Sequence, residues 1–298
     1  MTIQFKCPKC GSLIAFADKH AGKSARCLNC NQQLVIPAKT GQTPQTIEPK
    51  VEPEFPLPGF YHAVLVESWK IFLDRENVTT LVFVTAAVFF KFFSASICCL
   101  GYLVYFAAWG YLFGLYLNII SDTAVGIDKL PEIEPGTSIT FLWHIIKPIF
   151  VFVFAVLIVQ LPLVIALAFF QNYGITWENI WETPTAVNLV LRALFIAGLF
   201  LFPAAILAAA VVEDLPELFR LDRLITPAFR AIVPYTITVG LLAIASFLET
   251  KTTQYSSKAP MLSVAGNLAL NLAEQVVAII AMRSIGLFYR HFACYFAY

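Results

Sequence analysis

The chain has 298 residues, of which 59% are hydrophobic and only 13% charged, and it holds 27 phenylalanines. Soluble globular domains are roughly 45–50% apolar and about 25% charged, so this composition excludes an ordinary water-soluble globule. The near balance of 20 Lys and Arg against 19 Asp and Glu says little as a total, but residues 1–40 carry Lys6, Lys9, Lys19, Lys23, Arg26 and Lys39 against Asp18 alone. The front of the chain is modestly basic.

The first predicted element is a metal-stapled head over residues 1–37. Cys7, Cys10, Cys27 and Cys30 read C-x2-C-x16-C-x2-C, a spacing that brings four thiolates to one tetrahedral ion. In Cys7-Pro8-Lys9-Cys10-Gly11 the proline sets a rigid turn and the glycine permits positive φ, so that backbone N–H groups can face the sulfurs. The second pair, Cys27-Leu28-Asn29-Cys30-Asn31, places Asn where the first has Gly, and Asn is the next best residue at positive φ. Short β-prone runs at Thr2–Phe5, Ser12–Phe16 and Gln33–Ile36 surround the pairs and predict a few short strands. The ion expected is one structural Zn2+, with a rubredoxin-like iron site as the competitor that accepts the same four ligands. Four thiolates leave no open position, so catalysis at the metal is not expected.

This segment resembles the zinc-ribbon family, in the form found at the N-terminus of many bacterial membrane proteins. The resemblance rests on the CPxCG knuckle, Ala21-Gly22-Lys23, the second CxxC and the ending Leu34-Val35-Ile36-Pro37, and it covers residues 3–37. It implies a small β zinc ribbon. The stretch Ala17 to Ser24 echoes a phosphate-binding loop, but its first position is Ala17 and no helix is suggested after Ser24, so the context that motif needs is missing. With Phe5 and Phe16 as its aromatics the head does not amount to a nucleic-acid surface, and a protein partner is the expectation.

Residues 38–59 form a predicted extended tether, in which Pro44, Pro49, Pro53, Pro56 and Pro58 alternate with Thr, Gln and Glu. Next, Tyr61, Val64, Leu65, Trp69, Phe72 and Leu73 recur at helical spacing, as in a helix at the membrane surface. The same pattern also fits a helix packed on the body with one solvated face.

Six membrane spans are predicted over residues 78–96, 98–120, 145–170, 186–212, 231–248 and 264–287, making residues 60–298 an all-α polytopic transmembrane bundle. Met1 to Lys6 lacks the apolar core of a signal peptide, and thiols meant for a metal need a reducing compartment. Both arguments put the head in the cytoplasm. The inward connections then hold Lys129, Lys147, Arg220, Arg223 and Arg230, with Arg283 and Arg290 at the C-terminal side, whereas the outward connections hold Lys251 and Lys258 and the 171–185 connection has neither Lys nor Arg. An even number of spans returns the C-terminus to the cytoplasm too. Gly110 and Gly114 form a small-xxx-small pair, read chiefly as internal packing. Pro148, Pro162, Pro203 and Pro234 are expected to kink or end helices.

Two passages resemble a family of polytopic prokaryotic membrane domains of unknown function. One runs from Gly110-Tyr111-Leu112-Phe113-Gly114 through Ile119-Ile120-Ser121 to Gly126-Ile127-Asp128-Lys129-Leu130-Pro131, and the other from Phe202-Pro203 through Leu215 to Pro227-Ala228-Phe229-Arg230 and Pro234-Tyr235. No activity carries over from this resemblance, since none is established for that family, and the expected location is a bacterial inner or cytoplasmic membrane.

Within the spans, Asn267, Asn271 and Glu274 lie on one face of the last helix, and an ionisable group at that depth points to function. Lys91, Gln160 and Arg192 fall at similar depth in the outer half of the membrane, with Arg192 expected to pair with Glu274. They could line one outward-facing polar cavity, or serve as buried pairs that fix helix register, or snorkel to the interface. No nucleophile–base–orienter pattern stands out, so an enzyme is not expected. The expectation is a membrane protein that presents a cytoplasmic zinc-ribbon interaction module in an adaptor, regulatory or organising role. The alternative is a small-molecule or lipid transporter or channel with a regulatory head.

Overall fold

The computed structural model describes residues 2–6, 13–17, 24–26, 33–35, 37, 45–46, 55–94, 100–131, 138–170, 179–183, 185–211 and 221–296. The chain divides into two compact units, Met1–Pro53 and Glu54–Tyr298. In the first, β1 (Thr2–Lys6) pairs antiparallel with β2 (Leu13–Ala17), while β3 (Ser24–Arg26), β4 (Gln33–Val35) and β5 (Gln45–Thr46) form a second antiparallel sheet in that order. Phe5 is buried. Strand β5 falls within the segment predicted as a tether, where a short polar Gln-Thr pair edges the sheet. Cys7, Cys10, Cys27 and Cys30 lie outside the described residues.

The second unit is all-helical among the described residues. It opens with a broken helix made of α1 (Phe60–His62), a π turn (Ala63–Glu67) and α2 (Ser68–Lys70). Then come α3 (Val78–Phe93), α4 (Gly101–Val125), α5 (Ser138–Phe170), α6 (Asn179–Glu182), α7 (Ala186–Val211), α8 (Leu221–Arg230), α9 (Ile232–Lys251) and α10 (Met261–Phe292). Among the described residues six helices, α3, α4, α5, α7, α9 and α10, are long and apolar enough to cross a membrane. Their outer faces carry large exposed side chains such as Phe90, Leu103, Phe150, Ile165, Ile196 and Phe247, which would be unfavourable in water and suit hydrocarbon. α10 packs mainly along α4 and α9, α4 along α5, and α5 along α7.

Helices run past the apolar stretches that predicted them, because backbone hydrogen bonding does not stop where polarity begins. The second extends to Val125 instead of Ile120. It ends only where Gly126, at φ +95°, turns its N–H back to the carbonyls of Asp122 and Thr123. Gly110 and Gly114 serve the α4–α5 contact: a Cβ on Gly110 would lie 2.5 Å from the Ile145 carbonyl oxygen, and one on Gly114 3.3 Å from the Pro148 ring. The pair is therefore spent inside the bundle.

Of the two expected effects of the prolines, kinking or ending a helix, the ending does not occur at any of the four. Pro148 and Pro162 lie within α5 and Pro203 within α7, and Pro234 sits in the first turn of α9, where no intrahelical N–H donor is required. At Pro203 the disturbance is met from outside. The Tyr235 hydroxyl of α9 accepts from the Ala204 N–H at 3.3 Å and donates to the Phe200 carbonyl at 2.7 Å, bridging two groups one helical turn apart. A membrane interior offers no water for this duty, so a neighbouring side chain performs it.

The segment before α3 departs from the predicted face. Val64 is buried and Phe72 half-buried, whereas Tyr61, Leu65, Trp69 and Leu73 are exposed. The π turn inserts an extra residue, marked by the Ser68 N–H donating to the Ala63 carbonyl five positions back and joined there by the Ser68 hydroxyl, and this rotates the faces. Both sides of the segment are consequently apolar, one against the body and one outward. The approach to it is fixed as well, since the Leu57 N–H donates to the His291 carbonyl at 2.8 Å.

The substitution Tyr235→Phe keeps the ring contacts with Phe200 and Phe288 but removes the bridging hydroxyl. It is expected to destabilise the bundle by about 1–2 kcal/mol in a detergent unfolding titration, with the effect vanishing when Pro203 is also replaced by Ala.

Candidate functional site

Lys91 leaves α3 near its C-terminal end, where a cation is favoured by the helix dipole, and it is 4% exposed. Its ammonium lies 2.6 Å from Glu249 Oε2 of α9, 3.8 Å from Glu274 Oε2 of α10, and 4.5 Å from the centre of the Trp109 ring of α4. One cation thus joins four helices. Burying it is tolerable only because two carboxylates and an aromatic face replace its water.

The two carboxylates differ in access. The Glu249 side chain is 27% exposed and that of Glu274 only 5%. The Glu274 carboxyl lies 3.8 Å from the Lys91 ammonium and within side-chain hydrogen-bonding reach of the Glu249 carboxyl. In front of the triad lies a pocket of ≈ 220 Å³ bordered by Lys91, Phe92, Tyr105, Glu249, Asn271 and the chain from Thr252 to Gln254. Its lip is tied down by the Tyr255 N–H, which donates to the Phe92 carbonyl at 2.9 Å.

The predicted polar residues divide between two places. Asn271 borders the pocket and donates to the carbonyls of Asn267 at 2.9 Å and Thr253 at 3.4 Å, so Asn267, Asn271 and Glu274 share one region with Lys91. Arg192 does not join them. Its guanidinium donates to the Ile180 carbonyl at 2.9 Å and the Thr183 carbonyl at 3.4 Å and stands 5.7 Å from the Trp181 ring, holding α6 against α7. The expected Arg192–Glu274 pair is corrected to Lys91–Glu274: equal depth does not make α7 and α10 neighbours on those faces. Gln160 also stays between α5 and α7, donating to the Phe195 carbonyl at 3.3 Å with its amide where a Cβ on Gly198 would stand.

Two contributors were missed from sequence. Glu249 closes α9 next to Lys251 and reads as a connection charge, while Trp109 reads as one more apolar residue. Depth alone could have flagged Glu249, since its helix ends at the same level as α3.

A second buried polar cluster sits toward the other end of α10. Arg283, 3% exposed, donates to Asp128 Oδ1 at 2.8 Å, and Arg290 reaches the same carboxylate at 3.4 Å. Nearby, the Asn77 side chain donates to the Ile71 carbonyl at 3.0 Å and accepts from the Leu130 N–H at 2.9 Å, while Thr80 donates to the Pro131 carbonyl. These contacts fix the turn after α4 against the start of α3. Arg283 Nη2, Asn77 Nδ2 and Thr80 Oγ1 each have a protein acceptor, while Arg283 Nε has none among the described residues.

Comparison of the chain with protein-family models, curated proteins and solved structures finds no match.

Removing Lys91 strands two acidic groups in a low-dielectric site. Lys91→Met is therefore expected to lower the unfolding free energy by about 3–5 kcal/mol. Adding Glu249→Gln and Glu274→Gln to it should recover part of that loss. Guanidinium-free thermal or SDS titrations of the single and triple variants measure the coupling.

Proposed function

We propose that the chain is an integral protein of a bacterial cytoplasmic membrane whose helical body holds a small zinc-ribbon head in the cytoplasm, where the head engages a protein partner in an adaptor or regulatory role. The observation that supports it is where the two cysteine pairs fall in sequence between the paired strands. Lys6 pairs with Leu13, and Arg26 pairs with Gln33. In each case six residues join the paired ends, the first is a cysteine and the fourth is another: Cys7 and Cys10 in one connection, Cys27 and Cys30 in the other. Two antiparallel strand pairs whose joining segments hold C-x2-C at the same sequence offset suit the four thiolates of one structural zinc ion. So small a head lacks the apolar core to fold unaided, and metal binding would supply much of its folding free energy.

Orientation follows from the same chemistry, since the thiolates need a reducing compartment. Both termini are cytoplasmic in this reading, and the Lys91 end of the bundle then faces outward. Lipid acyl chains cover the exposed apolar faces. The pocket beside Lys91 favours a second reading, in which the body binds a small solute from the outer side and the head regulates it.

The wild-type protein should purify with one zinc ion per chain, colourless and therefore free of iron, by elemental analysis. Cys10→Ser should lose the metal and expose the head to protease while membrane insertion is unchanged. Zinc-dependent capture of one cytoplasmic protein by the intact chain, lost in Cys10→Ser, supports the adaptor role. Full zinc content in Cys10→Ser would overturn the ligand assignment.

A further inference from the structure

Two short segments packed at the C-terminal end of α10 leave apolar faces open. From Phe60 to Leu73 the chain buries Phe60, Val64 and Ile71, with the Phe60 ring 5.6 Å from that of Phe292 and 6.4 Å from that of Phe288. Leu65, Trp69 and Leu73 are exposed, Leu73 over 84% of its surface. Phe288 also meets the Tyr235 ring at 5.3 Å, and just before Tyr235 the helix α8 buries Ala228 while Ile225 and Phe229 stay exposed. The ten residues of α8 rise only about 15 Å, half the thickness of a hydrocarbon core, so its open face does not belong to a spanning helix.

What covers these faces follows from what they run into. Leu73 leads within five residues to the exposed Val78 of α3, and Phe229 leads to the exposed Ile232 and Val233 of α9, so both faces continue the outer sides of spans that suit hydrocarbon. Charge narrows the choice further. The acids of the first segment are engaged locally: Glu67 lies 3.4 Å from His62 Nδ1, Asp74 Oδ1 accepts from the Glu76 N–H at 3.1 Å, and Glu76 pairs with Lys129. Lys70, Arg75 and Arg230 are exposed, and among the described residues no carboxylate stands within ion-pair distance of any of them. Arg230 is steadied only by the Tyr295 ring, 5.9 Å away. A second copy of the chain on a two-fold axis would bring the same cations against one another. An apolar face edged by unspent cations fits a lipid surface of negative charge.

We propose that the open faces of the Phe60–Leu73 segment and of α8 lie in the plane of the cytoplasmic leaflet and bind anionic phospholipid. Leu65, Trp69, Leu73, Ile225 and Phe229 enter between acyl chains, while Lys70, Arg75 and Arg230 meet the phosphates. Trp69 is placed as an interfacial aromatic, its ring in the apolar layer and its N–H toward the headgroups. This deepens the membrane reading given above, on which it rests, by assigning the chemistry of the lipid at one end of the bundle. It requires nothing of the zinc head.

The test uses the full chain reconstituted in vesicles of phosphatidylcholine mixed with phosphatidylglycerol. A photoreactive benzoylphenylalanine replaces Trp69, Phe229 or, as a reference on the outer face of α7, Ile196, and the adducts formed on irradiation are identified by mass spectrometry. All three positions are expected to capture lipid. At Trp69 and Phe229 the captured lipid should be enriched in phosphatidylglycerol above the vesicle ratio, whereas Ile196 should report that ratio. Lys70→Gln, Arg75→Gln and Arg230→Gln change exposed side chains, so Tm should stay unchanged while the enrichment falls about two- to fivefold for each cation removed. The proposal is overturned if Ile196 captures lipid but Trp69 and Phe229 capture only protein, including a second copy of the chain, or nothing. It is equally overturned if their lipid matches the vesicle ratio, or if the enrichment survives all three Gln substitutions. Failure of Ile196 itself to capture lipid would remove the membrane reading and the proposal with it.

Discussion

The bundle turns on a single buried ammonium. Lys91 meets Glu249 on α9, Glu274 on α10 and Trp109 on α4, so the end of α3 is locked to three other helices through one charge. In hydrocarbon, helices gain nothing from hiding apolar surface from lipid tails that are equally apolar, and their association must come from packing and polar contacts. Gly110, Gly114 and the Tyr235 hydroxyl supply such close contacts elsewhere in the bundle. The Lys91 group supplies one at the end where α9 hands over to α10.

The same logic explains why Tyr235 matters more than its place in an aromatic cluster suggests. Pro203 removes a donor from α7 in a region where water cannot replace it. The helix is nevertheless continuous from Ala186 to Val211, and the Tyr235 hydroxyl bridges the Ala204 N–H and the Phe200 carbonyl, the backbone pair next to the donor that Pro203 lacks. A proline on one helix and a tyrosine on another therefore form one structural unit, and the sidedness of α9 is set by it.

Sequence alone carries depth well and direction poorly. The six apolar helices, the shared face of Asn267, Asn271 and Glu274, and the level of Lys91 all follow from spacing and rise per residue. What spacing omits is which helix stands beside which. Arg192 lies at a suitable depth, yet it holds the Ile180 carbonyl because α7 packs along α5 and α6 there. Glu249 lies at a telling depth, level with the end of α3, but an acid at the edge of an apolar run reads as an ordinary connection residue unless that depth is weighed. The segment from Phe60 to Lys70 misleads by a single residue. Its π turn adds one position to the period, so a face computed at 3.6 residues per turn mixes buried Val64 with exposed Leu65 and Trp69.

The two polar groups on α10 also limit how the bundle can move. Glu274 and Arg283 are nine positions apart, about 14 Å along the axis at ~1.5 Å per residue, and they bind partners on different elements, Lys91 and Asp128. Sliding α10 by even one residue would break both contacts and leave two charges stranded, so the helix is pinned in register at two depths. Widening of the pocket beside Lys91 must then come from its lip. That lip is the connection from Thr252 to Pro260, held to α3 by the Tyr255 N–H on the Phe92 carbonyl and by the Tyr255 ring 5.2 Å from that of Phe93. A backbone bond and a ring contact of this kind are far weaker than a buried charge cluster. Access to the site is therefore governed by the connection, while α10 remains the fixed element around which it opens.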